Sequence, residues 1–139
     1  MSERVVVKTG VIFYDSEKPK MKGPIGQLIL TSRRLAFIKY PSRGFISKAP
    51  QDYSGNIDEG LKNEGSVEIP VAQISEAKAD STWGTPYLRV RYDTVSGGKV
   101  CTFIFRGGSL EAGGVLLNRR AIEQLAATIE GLKRQAPTE

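Results

Sequence analysis

The residues able to do chemistry in this chain are few, and one type is missing. There is no histidine among the 139 residues. That removes the usual general base, the commonest metal ligand and the usual partner of a nucleophilic Ser or Cys. The single cysteine, Cys101, cannot staple a domain internally, and without histidine a structural zinc site is not expected. It reads as a small core residue. Ser75-Glu76-Ala77-Lys78 has the S-x-x-K spacing in which a lysine stands near a nucleophilic serine, and Lys8-Thr9-Gly10 supplies a K-T-G. Their order is reversed, no S-D-N accompanies them, and the S-x-x-K lies near a predicted strand. Gly108 and Gly113 have the spacing of a phosphate loop, yet Gly114 and Val115 stand where a lysine and a Ser or Thr are required. Carboxylates are scattered. The expectation is no enzyme, no cofactor and no metal. The pattern that stands out is Lys18, Lys20 and Lys22. In an extended segment alternate residues point the same way, so three ammonium groups would face one direction and attract an anion.

The charge distribution reinforces that loop. The formal net charge is +5, and residues 1–40 carry eight Lys/Arg against three Asp/Glu, while the remainder carries twelve of each. The whole excess therefore sits in the first part of the chain, which favours lipid head groups, nucleic acid or acidic protein surfaces. Hydrophobic residues make up 40% and charged residues 25%, as in an ordinary globular domain. No apolar run approaches the roughly 20 residues of a membrane span. Met1-Ser2-Glu3-Arg4 lacks the layout of a signal peptide. A cytoplasmic location, with peripheral attachment to a membrane as a further option, is the expectation.

The elements that would position these lysines follow from periodicity. Val5, Val7, Thr9, Val11 and Phe13 alternate as one face of a strand. Residues 15–24 form a connection carrying the basic run. Residues 27–39 read as a hairpin turning at Thr31-Ser32-Arg33-Arg34, with Leu28 and Leu30 facing Leu35 and Phe37. Residues 41–66 are rich in Gly, Pro, Asp, Asn and Ser and read as a mobile insertion with at most a short strand of its own. Val67, Ile69, Val71 and Ile74 resume the pattern, and Pro70 marks an edge or a strand end. Leu88, Val90 and Tyr92, then Cys101, Phe103 and Phe105, form a second hairpin around Ser96-Gly97-Gly98. The period then changes: Ile122, Leu125, Ala126, Ile129 and Leu132 make one helical stripe, with Asn118 able to cap its start. Six or seven strands and one C-terminal helix predict a single domain over residues 1–139. It is mainly β, a bent sheet or partial barrel capped by the helix.

That order resembles the pleckstrin-homology (PH)-like superfold, and local residues sharpen the likeness. Gly26-Gln27-Leu28-Ile29-Leu30-Thr31-Ser32-Arg33-Arg34-Leu35-Ala36-Phe37 resembles the G-x-L-x-L-T-x-x-R-L-x-[FW] hairpin of GRAM and GLUE domains. Val67-Glu68-Ile69-Pro70-Val71-Ala72-Gln73-Ile74 resembles the I-P-L-x-x-I strand that follows it. Gly10 to Lys18 is similar to the first strand of GLUE domains, the modules of endosomal sorting (ESCRT) adaptors, and Trp83-Gly84 resembles an aromatic-Gly step of GRAM domains. The likeness spans nearly the whole chain outside residues 41–66.

The resemblance implies a binding or adaptor module. In PH-like domains the loop after the first strand commonly holds phosphate-bearing head groups, which implies that role for Lys18, Lys20 and Lys22, with Arg33 and Lys39 adding to them. Arg34 is expected to be structural. GLUE domains bind ubiquitin, which implies a ubiquitin-like protein partner as the companion option. Trp83 and Tyr87, read as exposed aromatics, are the expected protein anchors. Arg89 and Arg91 alternate with Tyr87, a pattern that would suit single-stranded nucleic acid, but the modest charge excess disfavours it. A monomer or weak oligomer is expected. The alternative is a structural assembly module that forms homo-oligomers through its sheet edges.

Overall fold

Seven strands and a C-terminal helix carry the chain, in a computed structural model that describes residues 3–20, 23–40, 52–82, 84–105 and 119–135. The strands are β1 (Val5–Tyr14), β2 (Ile25–Thr31), β3 (Arg34–Lys39), β4 (Val67–Pro70), β5 (Ile74–Thr82), β6 (Thr85–Thr94) and β7 (Gly97–Phe105). The helices are α1 (Ile57–Gly60) and α2 (Arg119–Gln135). All strand pairs are antiparallel, in the order β4-β3-β2-β1-β7-β6-β5.

Connectivity forces this sheet to curl. Strands β4 and β5 lie at opposite ends of the order, yet only the 3-10 turn Val71–Gln73 separates them. Three residues in a 3-10 turn span less than about 10 Å, whereas a flat seven-stranded sheet is roughly 29 Å wide. The two edges are therefore drawn together into a partial barrel. Bulges between Val5 and Val7 and between Ile74 and Glu76 supply local bending. The result is mainly β with one C-terminal helix, consistent with the PH-like bent sheet.

The concave face makes one core. Val11, Phe13, Leu28, Leu30, Leu35, Phe37, Ile69, Ile74, Leu88, Val90, Cys101 and Phe103 meet the α2 stripe of Ile122, Leu125, Ala126, Ile129 and Leu132. Phe13 stacks on Phe37 with ring centroids 4.8 Å apart and lies 5.5 Å from Phe103, an offset arrangement favoured by aromatic quadrupoles. The alternation of β1 holds from Val7 onward. The bulge turns Val5 outward, and it is 39% exposed.

Two segments differ from expectation. Strand β5 carries no strong apolar alternation, because its inward residues are Ile74, Ala77 and Ala79. The small side chains let α2 approach closely, and Glu130 Oε2 accepts the Ala77 N–H at 3.0 Å. The second half of the insertion is packed and contains a helical turn in place of a strand. Tyr53 and Ile57 cover Ile29, Ala36 and Ile38 on the convex face of the β2–β3 hairpin, so this hairpin is buried on both sides. Gln27 fixes the cover: its Nε2 donates to Asp52 Oδ1 at 2.9 Å and its Oε1 accepts the Tyr53 N–H at 2.8 Å. Residues 41–51, the glycine-rich stretch 107–114 and Asn118 lie outside the described residues.

Ionic clasps hold the cover and the N-terminus. Arg34 binds Glu3 through Nε at 2.7 Å and NH2 at 3.2 Å, and through NH1 reaches Asp58 at 2.8 Å and Glu68 at 2.9 Å. Thr31 Oγ1 donates to Glu3 and accepts the Arg33 and Arg34 N–H groups that close the turn. Burial pushes the Glu3 carboxyl up, but Arg34 and Thr31 outweigh it and hold it below its usual range. Lys8, then Gln27, hold Asp52 low. A carboxylate depressed in the folded state contributes stability above its unfolded pKa, and that contribution disappears as pH falls through the folded value. Urea midpoints are accordingly expected to be flat above about pH 5 and to fall progressively below about pH 4. Glu3→Gln should show a shallower acid limb in the same titration.

Candidate functional site

Antiparallel register sorts the connections into two ends. The β1–β2 loop, the end of β3, the start of β4 and the β6–β7 turn lie at the end marked by the pairs Tyr14↔Thr102, Gly26↔Lys39 and Thr94↔Gly97, while the described part of the insertion runs along the convex face to Asp58 beside Arg34. The β2–β3 turn, the β5–β6 turn and the end of β7 lie at the other. Lys18 and Lys20 are exposed in the β1–β2 loop, Lys99 is exposed near the start of β7, and half-buried Lys39 ends β3. All four belong to the first end. Lys22 lies outside the described residues.

Arg33 does not join them. It is exposed in the β2–β3 turn, at the far end of the seven-residue β2. At about 3.3 Å per residue, that strand separates it from the basic loop by roughly 20 Å. The expected five-residue cationic cluster is thus divided. Arg34, expected to be structural, is the ion-pair node described above.

The loop bearing Lys18 and Lys20 is tied down at its base. Glu17 Oε2 meets Arg91 NH2 at 2.8 Å, and Arg91 Nε meets Glu76 at 3.3 Å. Ser16 Oγ donates to the Lys18 carbonyl at 2.7 Å, and the Phe13 N–H donates to the Pro24 carbonyl at 2.9 Å. Beside this loop lies an open concavity of about 380 Å³ lined by Phe13, Asp15, Val67, Glu68, Tyr92 and Lys99, among others. Its floor is apolar and its rim carries both signs of charge. Burial pushes the Tyr92 phenol, and separately the Cys101 thiol in the core, up to about 12. Both stay neutral at ordinary pH, and a fully buried thiol of that kind is a packing group.

Several expected roles change in the structure. Tyr87 is 1% exposed and cannot anchor a partner from the surface. It sits on the convex face of β6 beside Arg89, whose NH1 reaches Asp80 at 3.1 Å and the Tyr87 hydroxyl at 3.4 Å. Alternation alone places Tyr87 on the face opposite the core and so predicts it exposed, whereas that position is buried beside Arg89 and Asp80. Trp83 lies outside the described residues. Arg89 Nε and Thr102 Oγ1, on directly paired residues, are buried polar atoms without a hydrogen-bond partner among the described residues. Arg91 is spent on Glu17 and Glu76. Ser75 Oγ donates to the Arg91 carbonyl at 3.1 Å, and Lys78 follows in an extended strand, where positions three apart are not the neighbours they are in a helix. Among the described residues no three or more Cys, Asp and Glu converge to hold a metal, and no helix is long and apolar enough to cross a membrane.

Both sheet edges are guarded. Along β5, α2 side chains satisfy the outward backbone groups: Glu130 takes the Ala77 N–H, Lys133 Nζ donates to the Ser75 carbonyl at 2.9 Å and Arg119 to the Ala79 carbonyl at 3.5 Å. The other edge, β4, has four residues and ends at Pro70. Short length and proline blunt an edge against pairing. Glu130→Ala/Lys133→Ala should unmask β5, and the mass read from its light scattering should rise with concentration more steeply than the parent's.

The fold is a curled antiparallel sheet with a C-terminal helix, and one end of the sheet carries Lys18, Lys20, Lys39 and Lys99 beside Asp15 and Glu68. No family model and no curated protein matches the chain.

Proposed function

We propose that this chain is a non-catalytic PH-like binding module, of GRAM or GLUE type, that docks on anionic lipid head groups. The observation that carries the reading is the shared placement of Lys18, Lys20, Lys39 and Lys99 at one end of the sheet, with the basic loop braced by Glu17 and Arg91. A braced loop loses less freedom on binding than a free one, so more of the Coulomb attraction is realised as affinity. Each lysine near an anionic membrane contributes about 1 kcal/mol.

The concavity between the loops argues for a rim contact and against a deep head-group pocket. Asp15 and Glu68 line it beside Lys99, so a phosphate entering it would meet two carboxylates. Attraction is left to the exposed rim, which reads charge density and not the stereochemistry of one head group. Of the two aromatics expected to anchor a protein partner, Tyr87 is buried, so the head-group half of the binding reading is the stronger. The guarded edges weigh against assembly through strand addition.

Vesicle co-sedimentation tests this. The protein should pellet with phosphatidylserine-containing vesicles, not with phosphatidylcholine alone, and release as salt shortens the Debye length. Vesicles of equal charge density carrying phosphatidylserine or a phosphoinositide should bind equally. Lys18→Glu/Lys20→Glu/Lys22→Glu should weaken binding by about a hundredfold or more. A triple variant that pellets like the parent removes the loop from the site.

A further inference from the structure

The β6–β7 hairpin extends beyond the sheet that supports it. Strand β1 stops pairing with β7 at Tyr14↔Thr102, and β5 stops pairing with β6 at Ile74↔Tyr92. Beyond those points, among the described residues, Asp93 and Thr94 pair only with Gly98 and Gly97. Gly97 would carry a side chain into open space, with nothing within 4 Å. The tip is nonetheless ordered by its own hydrogen bonds: Thr94 Oγ1 donates to the Gly97 carbonyl at 2.9 Å and accepts the Ser96 N–H at 3.1 Å. Gly97, at φ +121, takes the backbone conformation that lets the strand resume.

At the summit of this finger stands Val95, with 107% relative exposure. The fold gains nothing from it there. A β-branched apolar residue is also an unfavourable choice for a tight turn, where Gly, Asn, Asp and Ser are preferred. Single exposed apolar residues are common and need no explanation by themselves. Here position adds the second observation. Val95 and Ile25, which is 43% exposed, both lie at the end of the sheet that carries Lys18, Lys20 and Lys99. Apolar tips among lysines match an anionic bilayer, whose surface attracts the cations and whose interior accepts the apolar side chain.

We infer that the β6–β7 turn is a membrane-inserting finger, which places Val95 below the head groups of an anionic bilayer while Lys99, Lys18 and Lys20 lie against its surface. The inference rests on the head-group reading above and adds to it a depth, an orientation and an apolar contribution. The sheet would stand with its β1–β2 and β6–β7 end down and the β2–β3 turn, with Arg33, pointing away.

The test separates the two ideas. Val95→Cys is labelled with an environment-sensitive dye. Cys101 is wholly buried, so the dye goes to position 95 alone. Arg33→Cys, labelled in the same way, is the control. On phosphatidylserine vesicles the dye at 95 should shift to the blue and the dye at 33 should not. Val95→Thr keeps shape and charge, and should weaken sedimentation about fivefold, whereas Val95→Trp should strengthen it by a similar factor. If the parent pellets while the dye at 95 reports water and Val95→Thr binds equally well, the finger does not insert and the head-group reading survives. If the parent pellets with no anionic vesicle, both fall.

Discussion

Gly26→Ala should lose about 3 kcal/mol of folding stability, at the upper end of overpacking effects. A Cβ at this position would collide with the Ile38 carbonyl oxygen and lie 2.8 Å from Phe37 Cε1. Neither can step aside cheaply. Ile38 pairs with Gln27 in the β2–β3 ladder, and Phe37 is held in the aromatic stack of the core. The hairpin would have to splay at the point where its convex face carries Tyr53 and Ile57. Urea denaturation should show a much lower midpoint with the slope retained, because the extent of surface exposed on unfolding is unchanged. Equal midpoints would mean that the register of β2 against β3 is not the one described.

Arg34→Met should cost about 2 kcal/mol. The side chain is 15% exposed, and Glu3 is 22% exposed, so their bidentate pair is well removed from water. Methionine restores the bulk and leaves Glu3 in a half-buried position without its cation, the situation in which removal of one partner is most damaging. Asp58, at 82% exposure, contributes little, because solvent screens it. Arg34→Lys should recover only part of the loss, since an ammonium group cannot hold the fork of Glu3 and reach Asp58 and Glu68 together. The diagnostic readout is the double variant Glu3→Gln/Arg34→Met. Removing both charges should cost less than the two single losses combined. Strict additivity would show that the pair is not coupled. Vesicle binding by folded Arg34→Met should match the parent, because Arg34 lies at the end of the sheet away from the basic loop.

These two residues also explain why the hairpin motif was legible. In Gly26-x-Leu28-x-Leu30-Thr31-x-x-Arg34-Leu35-x-Phe37, each defined position has a local physical task. Gly26 makes room, the leucines and Phe37 fill the concave core, Thr31 closes the turn and Arg34 collects carboxylates. Local tasks leave local signatures, and so do alternation and helical period. The β-rich class, the strands around Val11, Leu28, Leu88 and Phe103, and the α2 stripe were therefore readable from the chain alone.

What only the tertiary structure decided depends on partners distant in sequence. Strand β5 has no local signature because its inward alanines are dictated by the approach of α2, more than forty positions later. The packing of Tyr53 and Ile57 onto Ile29 and Ile38 is invisible in a segment whose composition signals a loop. Tyr87 and Arg33 carry the same lesson for the site. Residue type proposes a role, but burial removes one from the surface and strand direction carries the other to the far end of the sheet. Composition and spacing determined which groups are charged and which segments extend. The gathering of Lys18, Lys20, Lys99 and Val95 at one end follows from strand order and register, which are set by contacts between residues far apart in the chain.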